Sequence, residues 1–361
     1  MSDAVGGVIV GFDCHVDSHV AAALDPLGRL LGTASFCATS TGYQDALAWM
    51  RTFGPIIAVG VESTGSYGAA LTRSLTDAGI RVVEVNQPHP HTRSRRGKDD
   101  PIDAEAAARK VLSGEARGAA KDTSGIVESI RQLMVARDGA VKARTAALCQ
   151  LGDLVVTSPA PLREKLARRR SLEGKAALCC RLRPSGEGQD PMRAAKIALR
   201  SVARRIQELA LEIERLAKEL DALVAIAAPN TLGGLGLGTH NTAALLVAAG
   251  ENIDRFRSES SFAHLCGVAP LPASSGRTTR HRLNHGGNRQ ANRALHMIVI
   301  VRLRYCFQTR AYRDRRIREG KTKAEVIRCL KRYVVRELFR TLRADLGTLT
   351  AVVSTCFCRS G

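Results

Sequence analysis

The sequence predicts three consecutive units: an α/β domain, a central α-helical coiled coil, and a basic, mainly α-helical C-terminal domain. Strand-length apolar runs alternate with helical stretches over the first hundred residues, a narrow leucine stripe marks the middle, and charge is sorted along the chain. A chain of 361 residues exceeds the usual size of one core, and 45% hydrophobic residues suffice to fold several. Lysine and arginine number 54 against 34 aspartates and glutamates, a net charge of +20. Residues 1–105 hold 8 basic and 12 acidic side chains, whereas residues 277–345 hold 20 and 5. Such a basic density suits neutralisation of phosphates, so nucleic acid is the expected partner. A basic membrane-surface helix would set its charge against aromatic residues, which make up only 4% here.

In chain order, VIVGF at Val8–Phe12, HVAAALD and RLLGTASF read as three short strands in a meander. A helix around Tyr43–Phe53, the strand Ile56–Glu62, a helix near Tyr67–Ala78 and the strand Arg81–Asn86 follow. Three strands, helix, strand, helix, strand is the order of an RNase H-like nuclease domain. The Pro-, His- and Arg-rich stretch Gln87–Asp100 reads as a loop before the helix PIDAEAAARKVL.

Ile126–Leu154 reads as a helix, and after a Pro- and Arg-rich interruption a second runs from Met192 to Val224. In the latter, Leu199, Val202, Ile206, Leu209, Ile213, Leu216, Leu220 and Leu223 step alternately by three and four, the a/d seam of a coiled coil. A helix packed on its own domain would show the same seam. The flanking charge favours pairing between protomers, as a homodimer or tetramer. After Pro229, LGGLGLGTHNTAALLVAAG reads as a helix-hairpin-helix-like element, in which the Gly234, Gly236 and Gly238 amides are candidates for holding a DNA phosphate. A Pro/Ser/Gly loop, a basic Gly-Gly turn and two basic helices complete this domain. Arg277, Arg280, Arg282, Arg289 and Arg293 are its candidate nucleic-acid contacts.

Two-metal phosphodiester chemistry needs several carboxylates converging on one point. Asp13 ends the first strand, Glu62 ends the central strand, and Asp100 and Asp103 lie three apart on one face of a helix start. The same Asp-Pro-Ile-Asp also makes a good N-terminus, with Asp100 as cap and Pro101 at the first position. In PLPASSG, Ser274 and Ser275 precede Gly276 beside Arg277, Arg280 and Arg282. A serine there can attack a phosphate if activated, and the arginines would stabilise the transition-state charge, although a Ser-Ser-Gly loop is ordinarily just a turn. His264, Cys266, His281 and His285 are a weak zinc alternative whose spacing matches no usual finger. Ten scattered cysteines with no CxxC read as buried thiols of a cytosolic protein.

Together, GFDCHVDSH, VGVESTGSYG, VNQPHPHTRSRRGKDDPIDAEAAA, LGGLGLG, FAHLCGVAPLPASSGRTTRHRLNHGGNRQAN and RCLKRYVVRELF resemble the transposases of insertion-sequence family one-ten. This DEDD group includes Piv-type DNA invertases and bridge-RNA-guided recombinases. The resemblance spans about Val8 to Arg343 and implies a RuvC-like domain holding Mg²⁺ (or Mn²⁺) through Asp13, Glu62, Asp100 and Asp103. It further implies a nucleophilic Ser275 that forms a phosphoserine link to DNA, with the doubled serine leaving Ser274 as the alternative. Composite sites built from two protomers, and a structured guide RNA encoded by the element, belong to the same implication.

The expected organisation is thus a RuvC-like domain over 1–118, a helical coiled-coil region over 119–228, a serine-bearing DNA-binding domain over 229–345 and a tail over 346–361. The expected function is excision and insertion of mobile DNA by a cytoplasmic enzyme. A structure-specific RuvC-like endonuclease needing only the acids, a site-specific invertase, and a non-catalytic nucleic-acid-binding protein are the rival readings.

Overall fold

The computed structural model describes residues 7–85, 99–273 and 281–357. Strands Val8–Cys14 (β1), Ser18–Leu24 (β2) and Leu30–Cys37 (β3) form the meander. Helix Ser40–Arg51 (α1), strand Ile56–Glu62 (β4), helix Ala69–Asp77 (α2), strand Val82–Val85 (β5) and helix Asp100–Leu112 (α3) follow. The sheet order is β3-β2-β1-β4-β5, with β1 antiparallel to β2 and parallel to β4. This is the RNase H-like arrangement that the order of elements predicts.

Strand period two sorts the residues of this sheet onto two faces. Val8, Val10 and Phe12 of β1 and Val59 and Val61 of β4 pack with Tyr43, Met50, Leu71 and Leu75 of α1 and α2. The alternate positions Gly11 and Gly60 lie under α3, where Ala104, Ala107 and Ala108 are fully buried. A Cβ on Gly11 would stand 2.2 Å from the Ala104 carbonyl oxygen, and one on Gly60 would stand 2.7 Å from Val111 Cγ2. Glycine in both strands and alanine on the helix let backbone lie directly on backbone. The same alternation puts Asp13 and Glu62, two residues further on, at the end of that face.

Beyond the sheet, helices Ile126–Thr157 (α4) and Pro191–Ala227 (α7) form a long hairpin. Two short helices, Ala160–Ala167 (α5) and Leu172–Cys179 (α6), occupy the Pro- and Arg-rich interruption and pack on it through Leu162, Leu166, Ala176 and Cys179. The start of α4 (Val127, Ile130, Met134) shares a core with Leu220 and Val224 at the end of α7. Leu148, Leu151 and Val155 at the other end share one with Leu199, Val202 and Ile206, so the helices run antiparallel. Both ends of the leucine seam are therefore covered by α4 of the same chain, and Leu209, Ile213 and Leu216 between them are half-buried. The period of a seam specifies one narrow partner, which an antiparallel neighbour in the same chain satisfies.

The C-terminal unit contains Pro229–Leu232 (α8), Thr239–Ala249 (α9) and Glu259–Leu265 (α10). The strands Leu271–Pro272 (β6) and His281–Arg282 (β7) precede Arg289–Tyr305 (α11), Phe307–Arg318 (α12) and Lys323–Phe357 (α13). Helix α13 continues past Asp345, where the sequence suggested a tail. The buried Asp345 carboxylate accepts hydrogen bonds from the amides of Asn230 (3.1 Å) and Thr231 (3.0 Å) and from the Thr231 hydroxyl (2.7 Å), tying α13 to the start of α8. The segment between α3 and α4 is anchored too. Lys121 Nζ donates to the Val247 carbonyl (2.8 Å), the Asp122 amide to Asn252 Oδ1 (2.9 Å) and the Val127 amide to Glu251 Oε1 (2.6 Å). Among the described residues no helix is long and apolar enough to cross a membrane.

Candidate active site

Phe12 pairs with Val61 in the parallel register of β1 and β4, so Asp13 and Glu62 end adjacent strands. Helix α3 crosses this edge with Asp100 and Asp103 in its first turn. Glu62 and Asp103 are deeply buried, Asp13 is nearly so at 9% exposure, and Asp100 stands at the mouth. Burial, partly offset by His15, raises the Asp13 carboxyl above its usual value, and the charges of Asp103 and Asp100 add to the shift. Burial pushes the Cys14 thiol up to about 12, helped by the charges of Asp13 and Glu62 on either side. The charges of Asp100 and Asp103 from α3 thus act on Asp13 of β1, and that of Glu62 from β4 acts on the neighbouring Cys14.

The helix start differs from its sequence reading. Asp99 is the N-cap, makes no side-chain cap hydrogen bond, and Asp100 is the first helical residue. Instead of capping, Asp100 Oδ1 lies 3.3 Å from His15 Nε2, which also lies 3.2 Å from Asp13 Oδ2. The donor atoms of Asp13, His15 and Asp100 all fall within 4.8 Å of one another. An oxygen-rich set with repelling carboxylates, one of them raised by burial and further by its acidic neighbours, fits a hard divalent cation. His15 was missed in the sequence, although its spacing of two from Asp13 continues the face of the strand that carries the acid.

The second half of the candidate machinery lies in the C-terminal unit. Residues Ser274, Ser275, Arg277 and Arg280 lie outside the described residues, between β6 and β7, which pair antiparallel with Leu271 opposite Arg282. At the root of this hairpin opens a groove of about 1560 Å³, bounded by residues 267–270, by β7, and by α11, α12 and α13. Arg282, Arg289 and Arg293 from the sequence reading line it, and Arg315, Arg316, Lys321, Arg328, Lys331, Arg332 and Arg336 join them. Glu325 is the one carboxylate among the lining residues. The contribution of α12 and α13 was hidden because their arginines lie 22 or more residues beyond Arg293 and only the fold brings them to it.

The tight packing that shapes the groove is glycine-dependent. A Cβ on Gly287 would stand 2.2 Å from Gly267 Cα, so the Asn-His-Gly-Gly-Asn turn presses directly on the end of α10. Cys266 is fully buried there and burial pushes its thiol up to about 12, whereas His281 and His285 are exposed on the groove. The zinc alternative is not assembled by these residues.

In the Gly-rich element, Gly236 has a φ of +87° and packs against α11, where a Cβ would meet Ile298 Cα at 3.2 Å. Gly234 lies against Leu237, and Gly238 is the exposed N-cap of α9. The carbonyls of this turn are engaged, Leu235 by Arg302 Nε (3.1 Å) and Gly236 by Asn241 Nδ2 (3.1 Å).

Residues 10–158 match the DEDD transposases of IS110, a family described as "Transposase". Residues 235–314 match the family described as "Transposase IS116/IS110/IS902 family". A protein of Streptomyces coelicolor (strain ATCC BAA-471 / A3(2) / M145), the "Insertion element IS110 uncharacterized 43.6 kDa protein", is 34% identical over 110 residues. That stretch is 30% of this chain and 27% of the relative, so the likeness spans well under half of either. The two family matches fall in order on the carboxylate-bearing sheet and on the basic C-terminal unit, and jointly cover more than half of the sequence. The chain belongs to the IS110 family of transposases.

Proposed function

We propose that the protein is a DNA transposase that excises and inserts an insertion-sequence element by serine attack on DNA phosphodiesters. The observation that supports this reading is the cluster of Asp13, His15 and Asp100, beside which Glu62 ends the adjacent strand and Asp103 lies in the first turn of α3, on a chain that also builds a basic groove beside β7. The four acids would hold Mg²⁺ or Mn²⁺, which when bound supplies positive charge against the attacked phosphate. Ser275 Oγ forms a bond to phosphorus as the bond to the leaving sugar oxygen breaks, and the hydroxyl proton passes, directly or through water, to that oxygen. Rejoining reverses the exchange with an incoming sugar hydroxyl, so the phosphate bond energy is kept and no external energy source is required. Arg282, Arg289 and Arg293, with Arg277 and Arg280 of the loop and the Gly234, Gly236 and Gly238 turn, contact the nucleic acid. A structured RNA encoded by the element supplies target choice, since cationic contacts to phosphates read little sequence. Two or four copies assemble the complete sites.

The test is a denaturing gel of protein incubated with Mg²⁺, end-labelled DNA from its own element and any adjoining RNA. A covalent protein–DNA band present in wild type and absent in Ser275→Ala is expected. Free cleaved DNA from both proteins would instead identify a RuvC-like hydrolase with water as nucleophile. Binding without cleavage, unchanged by Asp13→Asn, would leave a non-catalytic nucleic-acid-binding protein. An outcome confined to inversion of a resident segment would make the enzyme an invertase.

A further inference from the structure

The floor of the basic groove holds an amine that the fold does not neutralise. Lys331 of α13 is half-buried, and its Nζ donates to Asn292 Oδ1 at 2.7 Å. Asn292 is itself fixed, its Nδ2 donating to the carbonyls of Cys266 (3.0 Å) and Gly267 (3.1 Å) at the end of α10. The amide oxygen is thereby aimed at the lysine and accepts one of its three protons. The remaining two have no protein acceptor among the described residues. Nearby carboxylates are committed elsewhere: Glu259 to Arg332 and Arg336, and Glu325 to the Thr322 amide and hydroxyl. Burial pulls the Lys331 amine below its usual value, and Arg328, one turn away, lowers it further.

A desolvated cation beside another cation, with a single neutral partner, costs stability, and such a cost is recovered when an anion binds. The anion that suits the place is a phosphodiester. Arg289, Arg293 and Arg328 line the same groove, Tyr333 presents a half-exposed ring, and His281 and Arg282 of β7 stand at its edge. We propose that Lys331, oriented by Asn292, anchors a nucleic-acid phosphate in the basic groove beside β7. This inference rests on the nucleic-acid reading above and adds to it a residue outside the arginines already named. Lysine serves here as a compact point charge, while the surrounding arginines continue the backbone track.

The test compares full-length wild type, Lys331→Met and Lys331→Arg for binding to a short fluorescein-labelled DNA duplex and, separately, to the matching RNA across a salt series, with melting temperature measured alongside. Loss of one phosphate contact lowers the slope of log K against log salt by about 1, and weakens binding by roughly tenfold near 0.1 M salt. Lys331→Met is expected to show both effects while melting no lower than wild type, and Lys331→Arg to retain most of the slope. The arm that responds, DNA or RNA, identifies which strand sits on the anchor. Unchanged affinity and slope for both probes in Lys331→Met would overturn the proposal while wild-type binding stands. A lower melting temperature with an unchanged slope would make Lys331 a structural partner of Asn292 and equally overturn it. Failure of wild type itself to bind either probe would sink the wider nucleic-acid reading together with this one.

Discussion

An added Cβ on Gly11 would lie 2.3 Å from the backbone nitrogen of Ala108, so strand β1 and helix α3 meet with no side chain between them. That contact sits two residues before Asp13 and five after Asp103, and sets how closely the two acids approach. Gly11→Ala must push the helix away, because both obstructing atoms are backbone and neither can rotate aside. A destabilisation of about 3 kcal/mol or more is expected, at the upper end for overpacking. The folded fraction should also lose metal-dependent stabilisation, measured as the change in melting temperature between chelator and Mn²⁺. Metal-dependent stabilisation unchanged from wild type would show that the contact does not position the acids.

Asp13 is desolvated and flanked by like charges. In chelator, Asp13→Asn is expected to melt no lower than wild type, because the neutral amide removes that repulsion. With Mg²⁺ or Mn²⁺ at a hundred times Kd, wild type should gain about 2.7 kcal/mol and the variant far less. Equal gains in both proteins would remove Asp13 from the ligand set.

The Asp345 carboxylate accepts from the Thr231 hydroxyl and from the Asn230 and Thr231 amides at the start of α8, and Thr231 and Asp345 are both buried. Asp345→Ala leaves the buried Thr231 amide and hydroxyl without their acceptor. A loss of roughly 3 kcal/mol in chemical denaturation is expected, with Asp345→Asn intermediate. A loss below about 0.5 kcal/mol would mean that solvent reaches the site.

Glu259 joins α10 to α13 through Arg332, whose hydrogen bonds hold its carboxyl below the usual value. A depressed carboxylate stabilises the fold fully above its unfolded pKa and loses that contribution as pH falls through the folded one. The stability difference between wild type and Glu259→Gln should therefore be largest at neutral pH, roughly 1 kcal/mol after allowance for partial exposure, and shrink on acidification. A difference that grows toward acid would reverse the assignment.

The acids at the ends of β1 and β4 were legible in the sequence because strand period and the apolar runs before Asp13 and Glu62 fix both face and end. The direction of the leucine seam was not, since Leu199 and Leu220 satisfy the same period against α4 or against another copy. His15 was visible in principle, as the next residue on the face of Asp13. Lys331 was not: its partner Asn292 lies 39 residues earlier, and its burial arises only where α13 crosses the start of α11.

The anchored segment between α3 and α4 has a mechanical consequence. With Lys121, Asp122 and Val127 each bonded into the C-terminal unit, this joint works as a bracket and not as a tether. The attitude of the carboxylate sheet to the basic helices is then set by packing within each chain, like the fixed jaw angle of a clamp. In the assembly of copies proposed above, the separation of the gripped DNA strands would be templated by the dimensions of the protein, and inserting glycines at Ser124 would loosen that gauge without touching an acid or a cation.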